Sequence, residues 1–215
     1  MRTTTPILAI DTASPSPAVT LAVGGREYDE ALPGDRQASE RLLGAIEECS
    51  RRAAAPLSSF GLIAVCSGPG SFTGVRVGLA TAWGLGRALG VRVEAVSTLD
   101  AIAEAARADG LDRVAAALDA GRGEIVWQAF DLGGPRARPF GASRRETPER
   151  ARDEAGDLPF ASRPAGLVPG PAIDLPPLLS PSLARAAARA PSLSEGALAA
   201  IYSRPSAAEE KRGAP

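Results

Sequence analysis

Two aspartates at the ends of apolar runs are the first residues with the potential for chemistry. Asp11 and Asp119 each end a short apolar segment. In duplicated folds that hydrolyse nucleotides, acidic residues at such positions hold a magnesium ion and orient water. Asp119 also opens the string Asp-Ala-Gly-Arg-Gly, in which Gly121 and Gly123 could approach a phosphate. These four residues form a candidate nucleotide site.

The first half of this candidate site lacks groups that a phosphate requires. After Asp11 the chain reads Thr-Ala-Ser-Pro-Ser-Pro, with two prolines and no glycine. A hairpin that grips a phosphate needs free backbone amides, and proline has none. We therefore interpret the site as vestigial and expect backbone amides to hold the Asp11 carboxylate.

Missing residue types restrict catalysis further. The chain has no histidine, and its single lysine is Lys211. Histidine acid–base catalysis, a histidine metal site, a Ser/His/Asp triad and a lysine-bearing phosphate loop are therefore excluded. Cys49 and Cys66 are too few for a disulfide framework or a zinc cluster, and their apolar neighbours predict burial. We predict no catalytic residue, no metal and no cofactor of the chain's own.

Residues 66–86 combine a glycine-rich loop with a helix-like segment. Gly68, Gly70 and Gly74 follow an apolar run. Neither the phosphate-loop pattern nor the dinucleotide pattern is met, because Val75 follows Gly74 and Thr73 stands where a third glycine belongs. Two interpretations stay open: the amides of residues 73–75 hold an anion, or the glycines allow a tight turn and close packing.

The helix after this loop carries a stripe of small residues. Gly78, Ala82 and Gly86 are four residues apart and so lie on one face. Each glycine inside a helix costs about 1 kcal/mol relative to alanine, and close approach of another element would offset that cost. That element could belong to this chain or to a second one, for which Leu79 and Trp83 would supply apolar bulk.

The elements that position these residues occur in two similar halves. Apolar runs and helical spacing predict the order β-β-β-α-β-α-β up to about residue 97. A strand ending in aspartate, a second strand and a Gly-Gly pair then recur, with 13 residues from Asp11 to Gly24 and 14 from Asp119 to Gly133. We predict an α/β fold of two ribonuclease-H-like domains, residues 1–97 and 98–204, with mixed sheets and a disordered tail at 205–215.

Composition sets broad limits on the class of protein. A formal net charge of −1 and an aromatic content of 4% argue against a free-standing nucleic-acid binder, which would carry a basic stripe and stacking platforms. The first residues do not resemble a signal peptide, and charged residues interrupt the apolar helix. We expect a cytoplasmic protein.

Five strings, in order along nearly the whole chain, resemble the bacterial TsaB family. They are Leu8-Ala-Ile-Asp-Thr-Ala13, Ser67-Gly-Pro-Gly-Ser-Phe-Thr-Gly-Val-Arg-Val-Gly78, Val96-Ser-Thr-Leu-Asp100, Leu118-Asp-Ala120 with Gly123-Glu124, and Ile201-Tyr-Ser-Arg204. The resemblance implies a duplicated actin-like fold. It also implies a non-catalytic role in threonylcarbamoylation of the adenosine beside the anticodon in tRNAs that read ANN codons.

The resemblance further implies partners. The catalytic subunit would be a related transferase, TsaD, joined by an ATPase subunit, TsaE. A second copy of the chain is another implied partner, tRNA is contacted only through the complex, and ATP or ADP could lie at the shared interface. Carried over by position, the interface uses the helices at 37–53 and 74–89. Its expected residues are Leu42, Ile46, Gly74, Val75, Gly78, Leu79, Ala82, Trp83 and Gly86.

Two alternatives remain at this point. A stand-alone ATPase or phosphotransferase of the same fold would use Asp11 and Asp119. A homodimeric scaffold unrelated to tRNA would use the helical face alone.

Overall fold

The computed structural model describes residues 5–34, 37–107 and 110–189. They form two five-stranded sheets and the helices that cover them. The first sheet contains β1 (Ile7–Asp11), β2 (Ala18–Val23), β3 (Arg26–Ala31), β4 (Leu62–Cys66) and β5 (Arg92–Val96). The second contains β6 (Arg113–Gly121), β7 (Glu124–Asp131), β8 (Arg138–Glu146), β9 (Phe160–Arg163) and β10 (Ala172–Ile173). The helices are α1 (Gln37–Arg52), α2 (Phe72–Leu89), α3 (Thr98–Ala106), α4 (Pro148–Ala155) and α5 (Ser180–Ala188).

The two sheets have the same topology. Their strand orders are β3-β2-β1-β4-β5 and β8-β7-β6-β9-β10. In each sheet the first three strands are antiparallel, and the last two add in parallel beside the first. The duplicated α/β architecture with mixed sheets, predicted from the spacing of aspartates and glycine pairs, is therefore confirmed.

The central strands are apolar because helices cover both faces of the sheets. Every residue of β1 is buried, as is every residue of β4 beside it. The turn between β2 and β3 is the predicted Gly24-Gly25 pair, and both glycines have positive φ. β8 is an edge strand of the second sheet and is exposed at all but its last position. Its sequence has no alternating apolar pattern, so the sequence did not predict this strand.

The helices divide between the faces of the two sheets. α1 and α2 lie on one face of the first sheet, and α5 lies on the other. α3 and α4 cover the two faces of the second sheet. α5 is tied to the first sheet by a hydrogen bond of 2.7 Å between Thr20 Oγ1 and Ser180 Oγ and by the ion pair Arg185–Glu27.

The packing of α5 affects the predicted domain division. The sheets separate between β5 and β6, near the proposed boundary at residue 97. The unit assigned to residues 98–204 nevertheless contributes α5 to the first sheet. The division into 1–97 and 98–204 stays a prediction. The Ile201–Arg204 string, Lys211 and the tail at 205–215 lie outside the described residues.

Candidate functional site

The Asp11 carboxylate lies at the end of β1 and is closed off from solvent. Its exposed fraction is 1%. One oxygen accepts hydrogen bonds from the backbone N–H groups of Ala13 and Ser14, both at 3.0 Å. The other accepts from the Ser14 hydroxyl at 2.6 Å. Burial raises the pKa of Asp11 although these hydrogen bonds oppose the rise. The carboxylate is held by backbone amides, as expected, and is closed off from solvent.

Asp119 occupies the matching position in the second sheet but has a different environment. Its side chain is exposed, and its carboxylate accepts a hydrogen bond from the Gly121 N–H at 2.7 Å. Gly121, Arg122 and Gly123 all have positive φ and form the turn from β6 to β7. The string expected to approach a phosphate is thus a hairpin turn. No hydrogen bond or ion pair joins Asp11 to Asp119 among the described residues.

Arg163 is a charged neighbour of Asp11 that sequence reasoning missed. It ends β9 and pairs with Leu118, one residue before Asp119. Burial lowers the pKa of its guanidinium, and the charge of Asp11 opposes that shift. Its Nε and Nη2 atoms are buried without a hydrogen-bond partner among the described residues. The residue lies in an irregular, proline-rich part of the sequence, where no periodic signal predicts burial.

The glycine loop is a packed connection. The Ser71 N–H donates to the carbonyl of Ala13, and the Thr98 N–H donates to that of Gly68. Thr98 Oγ1 also donates to the Pro69 carbonyl at 2.6 Å. These bonds join the loop to the end of β1 and to the start of α3. The glycines therefore permit a tight, closely packed turn, which is one of the two interpretations left open by the sequence.

The other interpretation, an anion held by the amides of residues 73–75, is not supported by the geometry. Ser71 is the N-cap of α2, and its Oγ accepts from the Gly74 N–H at 3.2 Å. The Val75 N–H donates to the Ser71 carbonyl at 2.8 Å. Two of the three amides are therefore already used inside the helix terminus.

The small-residue stripe of α2 faces the chain's own first sheet. A Cβ built on Gly78 would lie 2.5 Å from Thr12 Oγ1, and one built on Gly86 would lie 2.4 Å from Val93 Cγ2. Ala82 is fully buried between them. The stripe lets the helix approach the sheet closely, so the element that compensates the glycines is intramolecular.

This packing shows where the residues of the expected interface lie. Seven of its nine residues are buried in, or fitted closely against, the chain's own core. They are Leu42, Ile46, Gly74, Val75, Gly78, Ala82 and Gly86. The chain's own core already covers these seven positions, so a partner would meet the helices mainly through their other side; which residues form the interface stays a prediction. Leu79 is partly buried against the same core.

The opposite side of the two helices remains open. Trp83 of α2 is 60% exposed and Leu43 of α1 is 56% exposed, the two largest values among the exposed large hydrophobic residues of the described ranges. Gly44 and Gly84 lie beside them with free space at their Cβ positions. We call Leu43, Gly44, Trp83 and Gly84 the outer helical surface. Trp83 is the one residue of the expected interface that belongs to the outer helical surface.

The described residues hold neither a cluster of metal ligands nor a helix that could span a membrane. No group of three or more acidic, cysteine or histidine side chains in the described ranges could hold a metal ion. Within the same ranges, none of the helices has the length and apolar character needed to cross a bilayer.

The chain is similar to proteins of tRNA modification. Residues 34–152, more than half of the chain, match the family model "TsaD: tRNA N6-adenosine threonylcarbamoyltransferase". The "tRNA threonylcarbamoyladenosine biosynthesis protein TsaB" of Escherichia coli K12 is 37% identical over 127 residues, 58% of this chain and 54% of that protein. The protein of the same name from Haemophilus influenzae is 34% identical over 122 residues, 56% of this chain and 52% of that protein. The matches thus span about half the length of these curated relatives.

Solved structures give a more extensive match. "YeaZ from Pseudomonas aeruginosa" has 33% sequence identity and a TM-score of 0.73, covering 86% of this chain and 91% of its own. A second Pseudomonas aeruginosa structure, described as an uncharacterized protein similar to peptidase YEAZ, has 31% identity and the same TM-score. It covers 93% of this chain and 100% of its own. The actin-like, ribonuclease-H-like fold expected from the sequence is therefore confirmed.

Proposed function

The chain belongs to the TsaB family, and from that premise we propose that it is a non-catalytic subunit for threonylcarbamoylation of adenosine beside the anticodon in tRNAs that read ANN codons. In this proposal it binds and activates a TsaD-type transferase. A TsaE-type ATPase joins the assembly, and ATP or ADP can lie at the shared interface. The chain meets tRNA only through the complex, in the cytoplasm where tRNA is modified.

The observation that carries the proposal is the outer helical surface. Exposed tryptophan and leucine on the two helices that cover one face of a sheet are typical of protein interfaces, in which large apolar side chains provide most of the binding free energy. The open Cβ positions of Gly44 and Gly84 allow a partner to approach the backbone of both helices. The buried stripe supports this surface indirectly, because it holds α2 against the sheet with Trp83 turned outward.

The chemistry of the aspartates favours a partner role over independent catalysis. A stand-alone ATPase or phosphotransferase needs a carboxylate that can reach magnesium and water. Asp11 is 1% exposed, and its oxygens already accept three hydrogen bonds. No observation on the described residues favours the ATPase alternative.

Capture from native extract tests the proposal. A tagged full-length chain is expected to retain a TsaD-type transferase, identified by mass spectrometry, and purified transferase is expected to gain threonylcarbamoyl transfer to tRNA when the chain is added. Retention of a second copy alone, with no transferase and no gain in activity, would support the homodimeric scaffold instead. Calorimetry with Mg-ATP gives the other control, since micromolar binding with steady turnover by the isolated chain would overturn the non-catalytic assignment.

A further inference from the structure

A cavity of about 270 Å³ lies where the two halves of the molecule meet. Its walls come from β5, the edge strand of the first sheet, from α3 and α5, and from the segment that leads into β8. The apolar part of the lining includes Ala137, Pro139 and Ala186. None of these residues belongs to the outer helical surface or to the surroundings of Asp11.

Charged groups of both signs face this cavity. Glu94 and Asp100 contribute carboxylates, and Arg136 contributes a guanidinium group. A third lining carboxylate, Glu104, is already neutralised by ion pairs with Arg107 and Arg189. The first three groups are therefore the ones available to a ligand.

The available groups have few partners of their own. The Glu94 side chain is only 7% exposed, and its ion pair with Arg92 is long, at 3.5 Å. Asp100 accepts a hydrogen bond from the Ser97 backbone N–H, and burial raises its pKa to about 6. The Arg136 guanidinium makes no hydrogen bond or ion pair within the described ranges, although its charge acts on both carboxylates.

Such an arrangement is costly without a ligand. Carboxylates removed from water are destabilised unless a cation and hydrogen-bond donors compensate them. Arg136 is close enough to influence both carboxylates, and its own donors have no protein partner among the described residues. A ligand that carries an ammonium group and a carboxylate would supply both missing partners at once.

The same charges argue against simpler ligands. A bare divalent cation would meet the guanidinium of Arg136, and the described residues include no three-ligand metal group. A phosphate or another anion would meet Glu94 and Asp100, both of which disfavour a second negative charge. The apolar lining adds room for a small side chain beside the two poles.

We propose that this cavity binds a small zwitterion of the α-amino-acid class, with Glu94 and Asp100 facing its ammonium group and Arg136 facing its carboxylate. The site is separate from the outer helical surface. Ligand binding and transferase capture can therefore succeed or fail independently.

Calorimetry on the full chain tests the proposal with the L-α-amino acids as probes. L-alaninamide carries the cation alone and propionate the anion alone, so each is a one-charge match to L-alanine. We expect at least one amino acid to bind at millimolar concentration or below, and neither one-charge probe to bind comparably. Asp100→Asn and Arg136→Met should each weaken that binding by about tenfold or more, since each removes a charge-assisted hydrogen bond.

Matched controls come from exposed charges outside the cavity. Asp112→Asn and Arg138→Met should leave the affinity unchanged, and thermal melts should show that all four variants are folded. The proposal is overturned if no amino acid binds the wild-type chain. It is equally overturned if a one-charge probe binds as tightly as the zwitterion. It is also overturned if the folded Asp100→Asn and Arg136→Met variants bind the amino acid with wild-type affinity, because these two side chains would then pair with each other and not with the ligand.

Discussion

A Cβ atom at position 74 would lie 1.8 Å from the carbonyl oxygen of Thr12, far inside contact distance. The Thr12 hydroxyl in turn donates a hydrogen bond of 2.6 Å to the Gly74 carbonyl. The first turn of α2 is thus seated directly on the chain that leaves β1. This contact fixes the direction of α2 and, through it, the outward orientation of Trp83.

Gly74→Ala is expected to lower the free energy of unfolding by roughly 1–3 kcal/mol, because the added methyl group must displace backbone. Gly84→Ala in the same helix is the matched control, since its Cβ position is open. It should raise stability by up to about 1 kcal/mol, the usual gain for alanine over glycine in a helix. Urea unfolding measures both changes. Equal stabilities for the two variants would contradict the seating of α2 on Thr12.

Trp83→Glu is expected to abolish transferase capture, and any self-association through the same surface, while leaving the fold intact. The tryptophan is 60% exposed, so its replacement removes little from the core. Co-purification and sedimentation velocity measure the two kinds of association, and a thermal melt checks the fold.

Phe140→Glu provides the control for Trp83. Phe140 is also exposed but belongs to β8 of the second sheet. Its variant should capture transferase as the wild type does. Wild-type capture by the Trp83 variant would remove the outer helical surface from the proposed interface.

Ser14→Ala is expected to cost roughly 1–3 kcal/mol of unfolding free energy, the range for leaving a buried polar group without its hydrogen-bond partner. The Ser14 hydroxyl donates to the buried Asp11 carboxylate, which has no water to replace it. Ser59→Ala is the control, because Ser59 donates to the Pro56 carbonyl at the surface. Denaturant titration at neutral pH compares them. Similar small losses in both variants would show that water replaces the lost hydrogen bond at Asp11 as readily as it does at the surface.

Asp100 is expected to make stability depend on pH. Burial raises its pKa from 3.8 to about 6, so between these values the folded chain binds more protons than the unfolded chain. The free energy of unfolding should then fall as pH rises through this window, by up to about 1.4 kcal/mol per unit, and become level above it. Glu94 contributes in the same direction, whereas Arg136 opposes both shifts.

Asp100→Asn isolates this contribution. Asparagine keeps an acceptor for the Ser97 N–H but cannot ionise, so the variant should gain stability relative to wild type as pH rises from 4 to 7. Unfolding titrations at several pH values give the difference between the two chains. Parallel pH profiles would mean that Asp100 titrates near its ordinary pKa.

The duplicated fold and several of its elements could be predicted from local patterns in the sequence. The apolar runs that end in Asp11 and Asp119 and the glycine pairs at matching distances are features of short segments. The spacing of apolar residues and the residue types of turns predict the structure of such segments well. The helices expected at 37–53 and 74–89 are α1 and α2, and the Gly24-Gly25 pair forms the turn between β2 and β3. The amide-held state of Asp11 also followed, because the prolines after it excluded a phosphate hairpin.

The tertiary structure decided what each face meets. A stripe of small residues predicts close approach, but its sequence is the same whether the neighbour is β5 of the same chain or a helix of another. Here the stripe faces the first sheet and leaves Trp83 outside. The placement of α5, the burial of Arg163 and the cavity of Asp100 and Arg136 likewise depend on residues distant in sequence. Local periodicity states which side of an element is apolar or small, and only long-range packing determines the surface against which that side is placed.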